Sequence, residues 1–170
     1  MNSATQWLIW LVIFIVIIVG YAFRFELDYS FQRVLAVLIP SHSWSRNGEF
    51  IISRNQDGHF YTEAFINGMK IKFLIDTGAS DVALTSADAR LLQYDLSRLK
   101  YSRHYSTANG TVTAAPITLP KLQIGPKIFY DVPAHISSQN HELDISLLGM
   151  SAISRFKSFK IDKDLLILSY

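Results

Sequence analysis

The residue whose position invites chemistry is Asp76. It closes the apolar run Phe73-Leu74-Ile75 and opens the small-residue turn Asp76-Thr77-Gly78-Ala79-Ser80. Such a run reads as a strand heading into a core, and a carboxylate delivered to its inner end is costly unless it is paired or put to use as an acid or base. The bare tripeptide is weak evidence, because at average residue usage an Asp-[Ser/Thr]-Gly occurs in about one chain of this length in ten. The β-forming residues before it and the small residue after it make a plain turn a poorer explanation. Two further segments follow. Ser106-Thr107-Ala108-Asn109-Gly110-Thr111 is a hairpin tip centred on Asn-Gly, which on its own fits any tight turn. Ile145-Ser146-Leu147-Leu148-Gly149-Met150 is an apolar run closed by glycine, which on its own is ordinary core.

Other chemistries find little support. The five histidines, His42, His59, His104, His135 and His141, show no ligand spacing, so no metal is expected and they read as surface or loop residues. His141-Glu142-Leu143-Asp144 reads as a solvated loop ahead of an apolar run. There is no Gly-x-Ser-x-Gly and no phosphate-binding glycine loop. Cysteine is absent, which removes disulfides and thiolate chemistry. The 16 basic and 14 acidic residues are scattered and leave a net charge of +2, so no basic stripe points to nucleic acid.

The elements that must position Asp76 read as an all-β domain over residues 49–170 with one or two short helices, a barrel or sandwich. Strands are expected at Glu49 to Arg54, Phe60 to Ile66 and Met69 to Ile75, joined by Asn55-Gln56-Asp57-Gly58 and by Asn67-Gly68, where both residues tolerate positive φ. Ser86 to Tyr94 is the best helix, with Ser86 as its cap and Asp88 in its first turn. Later strands are expected at 102–106, 111–119, 121–124, 127–131, 134–136, 159–161 and 165–169. At 170 residues the chain has room for one such domain.

Ahead of it, residues 1–23 carry no charged side chain, and Trp7 to Phe23 is almost wholly apolar. That suits a transmembrane helix, with Trp7, Trp10 and Tyr21 as interfacial anchors. A cleaved signal peptide is the competing reading, but no Lys or Arg precedes the run and no small-x-small site follows it. Residues 24–48 read as a juxtamembrane linker, with Phe31 to Ile39 able to form a short amphipathic helix on the membrane surface. Arg24 and Arg33 place the domain in the cytoplasm by the positive-inside rule, although Glu26 and Asp28 weaken that signal.

In this order, Asn67-Gly68, Phe73-Leu74-Ile75-Asp76-Thr77-Gly78-Ala79-Ser80, Thr107-Ala108-Asn109-Gly110 and Leu147-Leu148-Gly149-Met150 resemble the retropepsin-like aspartic proteases, in the single-lobe bacterial type with an N-terminal membrane anchor. The resemblance covers about Gly48 to Tyr170 and implies a closed β-barrel lobe. By it, Asp76 is the catalytic aspartate, Thr77 hydrogen-bonds across a dimer, and Gly78 admits substrate backbone. Ala108, Asn109 and Gly110 form the flap over bound peptide, and Leu147, Leu148 and Gly149 form the apolar loop behind the catalytic turn. Asp81 and Ser151 depart from the better-known viral enzymes, so substrate-positioning details do not carry over.

Hydrolysis by this chemistry uses two carboxylates that share a proton, and the sequence has a single Asp-[Ser/Thr]-Gly. The resemblance therefore implies a homodimer with one Asp76 from each chain activating water, peptide or protein as substrate, no cofactor, and Leu165 to Tyr170 as a candidate interface strand. A catalytically silent binding or scaffolding module at the membrane is the alternative, and self-processing within 24–48 is a third. The resemblance also implies a bacterial inner membrane with the domain in the periplasm, against the charge signal.

Overall fold

The structure, a computed structural model, describes residues 3–22, 43–107, 110–138 and 143–170. The chain divides into two compact units, Met1–Ile39 and Pro40–Tyr170. The first holds α1 (Ser3–Ala22), a 20-residue helix with no acidic residue in its first turn and no basic residue in its last. Its described side chains, Gln6, Trp7, Ile9 to Val19 and Tyr21, are all exposed. Among the described residues no helix is long and apolar enough to cross a membrane. The helix expected at Phe31 to Ile39 lies outside the described residues.

The second unit begins with a hairpin. β1 (Ser43–Arg46) and β2 (Glu49–Ser53) turn at Asn47 and Gly48, both at positive φ. Because β1 falls within 24–48, part of the stretch expected to be linker is a strand. β3 (Tyr61–Ile66) and β4 (Met69–Ile75) follow, joined by Asn67 at φ 50° and Gly68 at φ 87°, as Asn-Gly predicts. Burial alternates along β3, with Thr62, Ala64 and Ile66 inward, the period-2 pattern of a strand on a core.

Next come β5 (Val82–Leu84), α2 (Ser86–Leu91), a 3-10 turn at Leu96–Arg98 and β6 (Arg103–Thr107). The cap of α2 is Thr85 rather than Ser86: Thr85 Oγ1 accepts from the Asp88 N–H at 3.0 Å, while Ser86 is buried in the first turn. α2 also stops at Leu91, short of the expected Tyr94, where Gln93 takes φ 66°. The two strands expected at 111–119 and 121–124 are one, β7 (Gly110–Ile124), and those at 127–131 and 134–136 are one, β8 (Lys127–Ser137). They pair antiparallel from Ala114 with Ser137 to Ile124 with Lys127, skipping only Pro120 opposite Asp131. Pro120 has no N–H to give and Asp131 sits at φ 49°, yet the ladder resumes beyond them. Arg155 donates to the carbonyls of Tyr130 and Asp131 at that interruption. β9 (Ser146–Leu148), α3 (Met150–Ile153), β10 (Ser158–Asp162) and β11 (Leu165–Ser169) complete the chain.

Seven strands form one sheet in the order β3-β4-β9-β5-β8-β7-β6, and β3 also pairs with β7. That extra pairing closes six strands into a barrel and, among the described residues, leaves β6 attached to β7 alone. Its interior is filled by Ile66, Ile71, Phe73, Leu84, Leu122, Ile124, Ile136 and Leu148, each at most 2% exposed. Burial of each such side chain contributes about 1.5–3 kcal/mol. A second sheet, β1-β2-β11-β10, adds Ile52, Leu166 and Leu168 to this core from one face. Its other face holds a small separate cluster of Ile51, Leu165 and Ile167 beside Trp44. β11 lies between β2 and β10, so both its hydrogen-bonding edges are taken within the chain. Among the described residues the edges of this sheet are β1 and β10.

Candidate active site

β4 and β9 run parallel, with Phe73 opposite Ser146, Leu74 opposite Leu147 and Ile75 opposite Leu148. Parallel neighbours leave the sheet at the same end, so Asp76 and Gly149 emerge side by side. The Asp76 N–H donates to the Leu148 carbonyl at 3.1 Å, which extends the ladder by one rung to the carboxylate-bearing residue. Asp76 is half-buried, and Oδ1 accepts from the Gly78 N–H at 2.8 Å. This bond orients the carboxylate across its own turn. A Cβ on Gly78 would stand 3.1 Å from that same oxygen, so glycine keeps the carboxylate uncrowded. Thr77 and Gly78 are exposed.

The turn is held from behind by the start of α3. The Met150 and Ser151 N–H groups donate to the Ala79 and Ser80 carbonyls, each at 2.8 Å. Ser151 Oγ accepts from the Val82 N–H at 3.0 Å and donates to the Pro133 carbonyl at 2.8 Å, joining the Asp76 loop to β8. Gly149 makes the close approach possible, since a Cβ there would lie 2.2 Å from the Asp81 oxygen. The segment expected as an apolar loop is therefore different in form: Leu147 and Leu148 are in strand β9, paired to β4, and only Gly149 lies in the connection to α3. Deeper in, Ser146 Oγ accepts from the Thr85 N–H at 3.1 Å and donates to Asp88, tying β9 to the start of α2.

Of the expected flap, β6 and β7 form the two arms and pair from Arg103 with Ala114 to Thr107 with Gly110. Gly110 takes φ 112°. Ala108 and Asn109 lie outside the described residues.

One cluster was not foreseeable from spacing. Tyr105 O–H donates to Asp81 Oδ2 at 2.8 Å, and the Arg103 guanidinium stands 3.5 Å from the same oxygen. The Tyr105 ring stacks on His135 with centroids 4.0 Å apart and planes 25° from parallel. His135 is buried, and burial holds its pKa below the usual value. Burial, followed by the bond to Asp81, raises that of Tyr105. The only hint in the sequence was that Asp81 and Ser151 depart from the viral pattern. Among the described residues no three His, Asp or Glu side chains gather where they could hold a metal ion.

The family model for gag-polyprotein aspartyl protease matches residues 62–155, from β3 through α3. The chain belongs to the retropepsin-like aspartic proteases. As an aspartic peptidase of this family it is 56% identical to a retropepsin-like aspartic protease from Rickettsia conorii known from its crystal structure. That match covers 76% of this chain and 96% of that one, with a TM-score of 0.67. This retropepsin-like chain is also 58% identical over 166 residues to the uncharacterised protein RP867 of Rickettsia prowazekii (strain Madrid E), covering 97% of this chain and 71% of that protein. An uncharacterised protein from the cobV 5' region of a Sinorhizobium species is 36% identical over 161 residues, covering 92% of this chain and 69% of that one.

Proposed function

We propose that the protein is a membrane-anchored endopeptidase that works as a homodimer, with one Asp76 contributed by each protomer. The observation that carries this reading is the placement of Asp76: a half-buried carboxylate on a turn stapled to β9 and α3, open at Thr77 and Gly78, and supplied once per chain. On a two-fold axis two such carboxylates stand too close for both to ionise, so they hold one proton between them. The ionised member takes a proton from water, which attacks the peptide carbonyl, and the protonated member donates to the carbonyl oxygen. Thr77 hydrogen-bonds across the dimer beneath this pair, and exposed Gly78 lets substrate backbone approach. Ala108, Asn109 and Gly110, carried by the β6 and β7 arms, act as the flap over a peptide bound in extended form.

The anchor is the segment of residues 1–23, which carries no charged side chain, is almost wholly apolar from Trp7 to Phe23 and has Trp7, Trp10 and Tyr21 to sit at the interfaces. The domain faces the periplasm from a bacterial inner membrane. This orientation rests on the family resemblance and runs against the two arginines that follow the helix. Alkaline extraction of membranes and protease accessibility in spheroplasts test it: the expected result is a membrane-retained protein degraded from the outside.

The catalytic reading is tested on the full chain in detergent with a peptide library between acidic and neutral pH, beside Asp76→Asn. Cleavage by the parent and none by the variant is expected. Equal cleavage by both removes Asp76 from the mechanism, and cleavage by neither favours the scaffolding module.

A further inference from the structure

Among the described residues β6 is the outermost strand of its sheet and has a ladder with β7 only. An edge strand held on one side frays readily, and in the proposed function its hairpin is the part that must close on substrate. Side chains two apart share a face of a strand, so Arg103 and Tyr105 project together. Both reach Asp81, whose side chain is only 16% exposed. Asp81 follows Asp76 in the same stapled loop, and its carbonyl is packed against Gly149. On the other side the Tyr105 ring is seated on His135 of β8, with which it stacks at 4.0 Å. Tyr105 thus has a floor for its ring and an acceptor for its hydroxyl, and the acceptor belongs to the catalytic loop.

We infer that Tyr105, Arg103 and Asp81 form a latch that references the β6–β7 hairpin to the Asp76 loop, with Tyr105 as the positioning residue that sets how the hairpin closes on a peptide. The inference rests on the reading of this hairpin as the flap. Tyr105 acts through the height and order of the strand that carries it. With the latch made, the hairpin is held near its closed position before substrate arrives, and less ordering is left to be done on binding. With it broken, β6 retains only the β7 ladder. The hairpin then holds peptide less tightly in ground and transition states alike, which raises KM and leaves kcat nearly unchanged.

Tyr105→Phe keeps the ring on His135 and removes only the donor. The expected result is a rise in KM of about fivefold to tenfold with kcat within about twofold, the size expected of one partly exposed hydrogen bond to a charged group. Asp81→Asn, which still accepts from Tyr105 but no longer attracts Arg103, should fall between parent and Tyr105→Phe. The double variant should be less impaired than the sum of the two. Amide hydrogen exchange on the full chain gives a readout independent of turnover. In Tyr105→Phe, residues 103–107 and 110–114 should exchange about tenfold faster while 61–66 and 69–75 keep the parent's rates. Unchanged exchange in the hairpin overturns the latch. Uniformly faster exchange, or an unmoved KM beside a lowered melting temperature, makes Tyr105 a structural strut and overturns the positioning role. If the parent cleaves no peptide, the functional reading fails, and the exchange rates still decide whether the latch exists.

Discussion

At the scale of single residues, the site depends as much on what is missing as on what is present. Gly78 keeps a methyl away from the Asp76 carboxylate, and Gly149 keeps one away from the loop behind it. The second demand is the stricter, because the atoms that a Cβ at 149 would meet are the backbone carbonyls of Asp81 and Ala79, at 2.2 and 2.7 Å, which cannot swing aside as a side chain can. Gly149→Ala should therefore lower stability by about 3 kcal/mol or more, read from urea denaturation, since overpacking against a fixed wall exceeds the usual range. A variant as stable as the parent would show that the loop yields. His135 makes a prediction of a different kind. Burial holds its folded-state pKa below the ordinary value near 6.5, so as the pH falls the unfolded chain takes the proton first. Stability from this residue is then full at higher pH and is lost as the pH drops below about 6.5, with a slope of at most about 1.4 kcal/mol per pH unit. Nearby Asp81 opposes the effect and Arg103 adds to it. Between pH 7.5 and 5.5 the parent should lose more stability than His135→Phe; equal losses would mean that His135 takes up its proton without leaving its buried place.

At the scale of elements, short pieces do much of the positioning. α2 has only six residues and gains little from its own hydrogen-bond ladder, so its start depends on Thr85 and on the Ser146 link to Asp88. Thr85→Ala should cost about 1 kcal/mol in chemical denaturation, and Thr85→Ser appreciably less, because serine restores the capping oxygen. If both cost the same, the buried methyl and not the cap is what matters. The Asn67-Gly68 hairpin and the strands Tyr61–Ile66 and Leu165–Ser169 were legible in the sequence, the first from its turn chemistry and the other two as short apolar-rich runs bounded by turn residues. β5 and β9, three residues apiece, were not identified as strands, because so few residues carry no period. β7 and β8 were each divided in two by their prolines, yet the long antiparallel ladder between them bridges the gap that Pro120 leaves.

At the scale of the whole molecule, the proposed chemistry needs two copies of a chain that carries one Asp-Thr-Gly. Mixing parent with a growing excess of Asp76→Asn chain should depress cleavage more steeply than simple dilution, because mixed dimers lack one carboxylate; activity that tracks the parent concentration alone would mean that one chain suffices. The amino-acid sequence by itself determined that Asp76 ends an apolar strand in a small-residue turn, that a β domain follows an uncharged N-terminal segment, and which family those segments resemble. Those properties live in neighbouring side chains and are therefore local. Only the tertiary structure decided that Leu148 runs parallel beside Ile75, that β3 closes on β7, that β11 is enclosed by strands of its own chain, and that Tyr105 reaches Asp81. The pairings are made by backbone N–H and C=O groups that nearly every residue possesses, so their partners are chosen by the closure of the barrel. The Tyr105 contact is made by a side chain whose neighbour in space is set by that same closure, and no spacing along the chain records it.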